Sequence, residues 1–179
     1  MTGGAKSTAA VVRPIGPEDY ERLAELLLEC LQDRPDPPEV FLPDVLGALK
    51  DYGSAASPSF EGLFAEVGGP HGRRKGVERH PVGFALYSPV FWPADLAPGL
   101  FVKELYVQPA YRSQKLGQAL MAALARIAAQ RRWKRLFLGV ETSNEQAVTF
   151  YERLPGVKRV AGELFAVQGD DLLDLADML

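Results

Sequence analysis

The side chains with the clearest chemical potential lie in two short stretches, and the first is AYRSQKLGQAL at residues 110–120. It joins a strand-like run to a helix-like one and contains Arg112, Lys115 and Gly117. Where a strand stops and a helix starts, several backbone N–H groups lack partners, and the helix dipole adds positive charge to them. Such junctions bind phosphate groups. The stretch is therefore a candidate anion cradle, and the alternative is an ordinary capped helix.

The second stretch, NEQAVTFYERL at 144–154, spaces Asn144, Ala147 and Tyr151 by three and four residues. On a helix this spacing puts all three on one face. A tyrosine hydroxyl with a pKa of about 10 stays protonated at neutral pH and can donate its proton. The alternative is that Phe150 and Tyr151 are two core aromatics. Because adjacent helix positions point about 100° apart, one ring can pack while the other faces a cleft.

A third candidate lies on the strand-like run FVKELYV at 101–107. Strict alternation places Val102, Glu104 and Tyr106 on one face of the sheet. Glu104 is the only acid on this strand, which makes it a candidate general base, acting directly or through water. A glutamate that is merely exposed or salt-bridged fits the pattern equally well.

The hydrophobic pattern supplies the elements that must position these residues. The predicted strands lie at 10–15, 60–67, 81–88, 100–108 and 135–140, with one or two more in 158–167. The predicted helices lie at 16–33, 39–53, 114–132 with Ser113 as N-cap, 144–154 with Asn144 as N-cap, and 170–179. Residues 89–99 are predicted to form a Pro- and Gly-rich loop. This order predicts an α/β (α+β) fold with a single mixed, mostly antiparallel sheet and helices on both faces.

Composition restricts the function classes. The 179 residues are 47% hydrophobic and 24% charged, which predicts one domain over 10–179 after a disordered tail at 1–9. The net charge of -3 argues against a general nucleic-acid surface. A single cysteine, Cys30, excludes an intrachain disulfide, and two histidines in one polar stretch argue against a metal site. No run has the length of a membrane span, and the start lacks a signal-peptide core, so we expect a cytoplasmic protein.

Two longer segments carry a family resemblance. KELYVQPAYRSQKLGQALMAAL at 103–124, followed by LFLGVETSNEQAVTFYERLPGV at 136–157, resembles the GNAT superfamily of acetyl-CoA-dependent N-acetyltransferases. RPIGPEDYERLAELLLE near the start, YSPVFWP and the ending LFAVQGDDLLDLA are most similar to spermidine/spermine N-acetyltransferase-like members. The resemblance implies the GNAT-type acyl-CoA N-acyltransferase fold and acetyl-CoA as co-substrate, with no metal.

The resemblance implies that the cradle binds the coenzyme A pyrophosphate. The family's phosphate-binding motif has two small-residue positions, the first of them a glycine. When the motif is aligned on Val107 and Arg112, Lys115 occupies the first glycine position. When it is aligned on Gln114, the two positions fall at Gly117 and Ala119. The first register is favoured, with Lys115 in ordinary negative-φ geometry. The implied coenzyme A site comprises Leu105, Tyr106, Val107, Arg112, Ser113, Gln114, Lys115, Leu116, Gly117, Gln118, Ala119, Asn144, Ala147 and Tyr151.

Catalytic roles follow from the same resemblance. Tyr151 is implied as the acid that protonates the departing coenzyme A thiolate, Asn144 contacts or approaches the pantetheine arm, and Ala147 leaves room for that arm. Backbone N–H groups near Leu105 and Val107 are implied to hold the thioester carbonyl and the pantetheine.

The acceptor side is implied to use Tyr87, Phe91 and Trp92 as walls of a cleft, although a loop packed on the core or on a second subunit fits as well. Members that acetylate polyamines carry an acidic pair where this chain has Lys103 and Glu104. Because Lys103 would repel a polycation, we expect spermidine to be a poor acceptor.

These features predict an N-acetyltransferase that moves acetyl from acetyl-CoA to a primary amine of a small molecule by direct attack in a ternary complex. The alternatives are a protein or peptide N-terminal acetyltransferase and a non-catalytic acyl-CoA-binding regulatory module. The resemblance also implies a homodimer. No nucleic-acid or membrane partner is expected.

Overall fold

One five-stranded sheet is built from the apolar runs of the sequence. Its strands are β1 (Val11–Pro14), β2 (Glu61–Gly68), β3 (Arg79–Trp92), β4 (Ala97–Val107) and β5 (Leu136–Leu138). The strands lie in chain order across the sheet. The first four pair in antiparallel fashion, and β4 pairs with β5 in parallel. The predicted mixed, mostly antiparallel sheet is confirmed.

The computed structural model describes residues 10–68, 79–162, 166–169 and 171–177. It divides into two units, residues 1–139 and 140–179. The first contains the sheet with α1 (Tyr20–Gln32), α2 (Leu42–Gly53) and α3 (Leu116–Gln130), and the second contains α4 (Glu145–Glu152) and α5 (Asp171–Ala176). The predicted tail at 1–9 and most of the polar connection between β2 and β3 lie outside the described residues.

Helices α1 and α2 pack on one face of the sheet. Leu23, Leu26 and Cys30 recur at helical spacing on α1 and form an apolar stripe. They join Phe64 of β2 and Phe84 of β3 in one buried cluster. Removing a large apolar side chain from water contributes roughly 1.5–3 kcal/mol, so this stripe fixes the helix on the sheet.

Helix α3 packs on the opposite face. Its buried stripe contains leucines at one-turn spacing: Leu116, Leu120 and Leu124. Ala65 follows Phe64 along β2 and is also fully buried, but it lies outside the cluster formed by α1 and α2. Successive strand residues point to opposite faces, so Ala65 faces the α3 side. Helices on both faces are thus confirmed.

The loop predicted after residue 88 is instead part of a long hairpin. Strand β3 continues to Trp92 and pairs with β4 from Ala97, with a short 3-10 turn at Pro93–Asp95 between them. The prolines that suggested a loop are tolerated because β2 pairs with β3 only as far as Tyr87. Beyond that point β3 has an open side, where Pro89 loses no ladder hydrogen bond.

Strand β4 contains a bulge that the alternation rule missed. Leu86 lies opposite Glu104 while Tyr87 lies opposite Val102, so Lys103 is the extra residue. Residues opposite each other share a face of the sheet. Because Leu86 and Tyr87 point to opposite faces, Val102 and Glu104 do as well, and the prediction that they share a face is wrong.

The remaining differences concern element ends. Strand β5 is only three residues long, shorter than predicted. The described residues 158–162 and 166–167 form no strand, so the predicted terminal strands are absent there, and 163–165 lie outside the described residues. Helix α4 ends at Glu152, two residues before its predicted end.

Candidate active site

The edge of β4 that faces β5 is open over half its length. Strand β5 pairs only with Leu100–Val102. Among the described residues of the first unit, no strand pairs with Lys103–Val107 on that side. The pairing of β4 with β5 therefore ends at Val102, just before the bulge residue Lys103.

The register shows which backbone groups face the opening. Gln108 N donates to Val82 O at 2.9 Å, and the same register places Tyr106 opposite Phe84. In an antiparallel pair only every second residue bonds the partner strand, so the N–H groups of Leu105 and Val107 point away from β3. These two donors therefore face the open edge.

The connection from β4 to α3 differs from its prediction in detail. The N-cap of α3 is Lys115, so the prediction of Ser113 as N-cap is wrong. Lys115 has φ 64° and Ser113 has φ 65°, both left-handed, so the prediction of negative φ at Lys115 is also wrong. The chain reverses between strand and helix within a few residues, and each left-handed non-glycine residue costs about 1–2 kcal/mol.

The N-terminus of α3 has several unused donors. Its first intrahelical bond runs from Ala119 N to Lys115 O at 2.9 Å, and no side chain caps the helix. The N–H groups of Leu116, Gly117 and Gln118 therefore precede the helical bonding pattern. A left-handed residue followed by a helical one makes successive N–H groups converge, which forms an anion-binding nest. The absence of a Cβ at Gly117 permits close approach.

Arg112 is committed to a structural role. Its Nε donates to Val107 O at 3.0 Å, and its guanidinium pairs with Asp33 Oδ2 at 2.6 Å. The same group lies 5.8 Å from the ring centroid of Tyr106. Arg112 thus links the end of β4 to the end of α1.

A second link joins α1 to β4. Glu29 accepts hydrogen bonds from the Tyr106 hydroxyl at 3.0 Å and from Gln108 Nε2 at 2.8 Å. Burial, followed by the hydrogen bond to Glu29, raises the pKa of Tyr106 above its ordinary value, so the hydroxyl stays protonated. Glu29 and Asp33 were not predicted as site residues, although their spacing of four on α1 indicates a shared face.

Glu104 has a partner that the sequence pattern did not indicate. Its Oε2 lies 2.5 Å from Arg34 Nη2, and its side chain is 24% exposed. Cys30 is buried nearby, and burial together with the charge of Glu104 raises the pKa of this thiol to about 12. Cys30 therefore stays a neutral thiol.

The three predicted acceptor residues do not form one wall. Tyr87 is buried, and its hydroxyl donates to Glu61 Oε2 at 3.0 Å. Burial, with the negative charge of Glu61, raises the pKa of Tyr87 to about 12. Phe91 is 61% exposed near the hairpin tip, roughly 13 Å farther along the strand at about 3.3 Å per residue. Trp92 lies beside Phe137, with ring centroids 5.3 Å apart.

The second unit contains the other predicted site residues. Asn144 is the N-cap of α4, as predicted, and its Oδ1 accepts from Ala147 N at 3.0 Å. Asn144, Ala147 and Tyr151 follow one face of this helix. Tyr151 is half-buried and packs edge-on against Phe150, with ring centroids 5.0 Å apart.

Two further properties concern the described residues only. Within them, no group of three His, Cys, Asp or Glu side chains is placed to hold a metal ion. Every helix in the described ranges is too short or too polar to cross a membrane.

Comparison with known proteins identifies the family. The sequence model of the Acetyltransferase (GNAT) family matches residues 21–156. Thialysine N-epsilon-acetyltransferase from Sus scrofa is 27% identical over 134 residues, which cover 72% of this chain and 76% of that protein. The enzyme of the same name from Bos taurus matches with the same values.

Solved structures show the same fold. An integron cassette protein from the mobile metagenome of V. cholerae has a TM-score of 0.78 at 21% identity, over 94% of this chain and 98% of that one. An aminoglycoside N-acetyltransferase in complex with CoA has a TM-score of 0.69 at 15% identity, over 92% of this chain and 97% of that one.

The chain therefore belongs to the GNAT acetyltransferase family and is an acetyl-CoA-dependent N-acetyltransferase. The predicted family and fold are confirmed. The greater similarity to spermidine/spermine N-acetyltransferase-like members stays a prediction.

Proposed function

We propose that this protein acetylates a primary amine of a small molecule by direct attack of the amine in a ternary complex with acetyl-CoA. One observation carries the proposal. The open edge of β4 leads directly into the uncapped N-terminus of α3, so backbone donors suited to a carbonyl and to a pyrophosphate follow one another from Leu105 to Gln118.

The residues present fit coenzyme A at the cradle. The unused N–H groups at Leu116, Gly117 and Gln118 suit the pyrophosphate because they combine hydrogen bonding with the positive end of a 15-residue helix. The flanking positions proposed to line the site are Arg112, Ser113, Gln114, Lys115 and Ala119. When bound, acetyl-CoA supplies an acetyl group already activated as a thioester.

The open edge of β4 is the proposed place for the reacting carbonyl and the arm that carries it. Leu105 and Val107 present N–H groups there, and Tyr106 lies between them. Fixed donors aimed at an oxygen that gains negative charge stabilise the transition state of acyl transfer. Their direction is set by the ladder with β3, so they need not reorganise during the reaction.

Proton transfers are assigned to two side chains. Tyr151 is proposed to protonate the departing thiolate, with Asn144 and Ala147 alongside the pantetheine arm. Glu104 is proposed to take the proton of the substrate ammonium, directly or through water. General acid or base assistance of this kind contributes roughly a hundredfold or more.

The acceptor class is inferred from the relatives. The curated relatives are named for acetylation of the ε-nitrogen of thialysine, which is a primary amine on a small molecule. The same class of acceptor is proposed here, along with a cytoplasmic location and a homodimer, as the family resemblance implies. Sedimentation of the purified chain at several concentrations would test the dimer.

The function is tested by measuring free-thiol release from acetyl-CoA with four groups of acceptors: diamines, amino acids, aminoglycosides and peptides. We expect release with a small primary amine, and acetylated product of the matching mass. Turnover confined to peptide N-termini would instead indicate a protein acetyltransferase. Binding of acetyl-CoA with no release above hydrolysis would indicate a binding module.

The acid assignment is tested by Tyr151→Phe. We expect kcat to fall about a hundredfold while acetyl-CoA affinity stays unchanged, because the substitution removes the hydroxyl that donates the proton. Tyr52→Phe, at an exposed tyrosine on α2, is the matched control. Wild-type kcat in Tyr151→Phe would overturn the assignment.

A further inference from the structure

The ion pair between Arg34 and Glu104 lies beside the open edge of β4. Arg34 follows the end of α1, and Glu104 follows the bulge residue Lys103 and precedes Leu105, whose N–H faces the opening. The pair is 2.5 Å long, and the side chains of Arg34 and Glu104 are 46% and 24% exposed. It is therefore within reach of a molecule that enters the opening.

The neighbouring charges on α1 are already committed. Glu29 receives hydrogen bonds from Tyr106 and Gln108, and Asp33 pairs with Arg112. Within the described residues, Arg34 forms its ion pair with Glu104 and none with Glu29 or Asp33.

Lys103 adds a second positive charge. It is exposed at the bulge, and in the described part of the chain its ammonium has no ion-pair or hydrogen-bond partner. Lys103 thus adds an unpaired cation next to the Arg34–Glu104 pair. A diamine brings only positive charge to this cation, whereas the carboxylate of an acceptor supplies it with an opposite charge.

We propose that Arg34 is a specificity residue that binds a carboxylate of the acceptor, so that the acceptor is an amino acid or a similar amino carboxylate. The proposal rests on the function proposed above. Guanidinium groups bind carboxylates through two parallel hydrogen bonds, a geometry that an accessible arginine offers readily. Lys103 supports the same preference by its charge.

Displacement of Glu104 from Arg34 by the substrate carboxylate also frees Glu104 for its proposed role as proton acceptor. In the structure, the Glu104 carboxylate is occupied by its ion pair with Arg34. When the substrate carboxylate takes the guanidinium, Glu104 is released. One proton then moves from the substrate ammonium to Glu104, which leaves a neutral amine with a free electron pair and a neutral carboxylic acid.

Two acceptors that differ only in the carboxylate test this proposal. L-lysine and 1,5-diaminopentane share the same terminal amine, and the second lacks the carboxylate of the first. We expect kcat/KM for L-lysine to exceed that for the diamine by about tenfold or more, which is the usual effect of one charge-assisted hydrogen-bonding group. Thialysine should follow L-lysine.

Variants assign the preference to Arg34. Arg34→Ala should remove the preference, mostly through a higher KM for L-lysine, with acetyl-CoA affinity unchanged. Arg34→Lys should recover part of it. Arg126→Ala removes an exposed arginine in the middle of α3 and should keep the full preference.

Each outcome has a defined meaning. Equal use of both acceptors, preference for the diamine, or an unchanged preference in Arg34→Ala would overturn the carboxylate site while leaving amine acetylation intact. Turnover only with aminoglycosides, which carry no carboxylate, would do the same. Acetyl-CoA binding with no acetylation of any amine would overturn the proposed function itself.

Discussion

The first backbone N–H groups of a helix lack partners within the helix, and the N-termini of α3 and α4 treat these groups in opposite ways. Helix α4 closes its own end, since Asn144 Oδ1 accepts from Ala147 N at 3.0 Å. Helix α3 begins at Leu116 without a side-chain cap, after a left-handed Lys115. Unused donors and backbone strain at one helix, in a chain that caps another helix, support the proposal that the uncapped end binds a ligand.

The uncapped end of α3 does not reflect a lack of suitable residues. Ser113 is a good capping residue by type and lies two positions before the N-cap. Ser113 has a φ of 65° and lies outside the cap position, and its hydroxyl makes no capping hydrogen bond to α3. The local conformation thus leaves the first N–H groups of α3 without a side-chain cap.

The largest effect is expected from a negative charge at the uncapped N-terminus of α3. Lys115→Asp should lower acetyl-CoA affinity about 10- to 100-fold, because a carboxylate competes for the same N–H groups and repels the pyrophosphate. Aspartate tolerates left-handed φ, so the fold should be retained. Calorimetric titration measures the affinity, and thermal unfolding checks the fold.

Lys115→Gly is the matched control at the same position. It relieves about 1 kcal/mol of left-handed strain, part of which is offset by the greater freedom of glycine in the unfolded chain. Acetyl-CoA affinity should change less than about threefold if backbone groups do the binding. A tenfold loss would show instead that the lysine charge itself holds the phosphates.

A smaller effect is expected at the closed end of α4. Asn144→Ala removes the cap and should cost about 1 kcal/mol of local stability. Hydrogen exchange of the α4 amides should accelerate about fivefold. Asn144→Asp keeps the capping oxygen and should exchange like the wild type. Ser113→Ala, which removes no cap from α3, should leave exchange in α3 unchanged, and acceleration there would contradict the comparison.

The smallest effect concerns the C-terminal end of α3, where the side chain of Arg131 forms an ion pair. Arg131 pairs with Glu61, which also accepts from Tyr87. The hydrogen bond from Arg131, followed by that from Tyr87, lowers the pKa of Glu61 below its ordinary value of 4.5.

This pair gives a pH dependence of known sign. Because the folded pKa of Glu61 is lowered, its contribution is present above pH 4.5 and is lost as the pH falls through the folded value. The side chains are partly exposed, so we expect less than about 1 kcal/mol. Urea unfolding midpoints between pH 5 and pH 3 measure the loss, and Glu61→Gln should show a flatter profile. Identical profiles in the wild type and in Glu61→Gln would show that Glu61 does not cause the pH dependence of stability.

Local patterns predicted most of the fold. Helical spacing located α1 to α4, and the apolar runs located the strands, because both signals depend on residues close in sequence. The bulge at Lys103 was missed because alternation counts residues without knowing the partner strand. The hairpin beyond Tyr87 was missed because the cost of Pro89 depends on whether β2 extends that far, which is a property of the assembled sheet.

The candidate site was predictable in position but only partly in detail. The stretch around Gly117 was identified from its place between strand and helix. The partners of Arg112 and Glu104 were not, since Asp33 and Arg34 are about 70 or more residues away in sequence and approach only in the folded chain. The left-handed Lys115 was missed because backbone conformation at a non-glycine residue follows from the path of the loop.

The most direct test of the central claim follows the backbone amides of a ¹⁵N-labelled protein during titration with coenzyme A. The claim predicts saturable shifts of the N–H signals of Leu116, Gly117 and Gln118, and inorganic pyrophosphate should move the same signals. Saturation with coenzyme A while these three signals stay in place would contradict it.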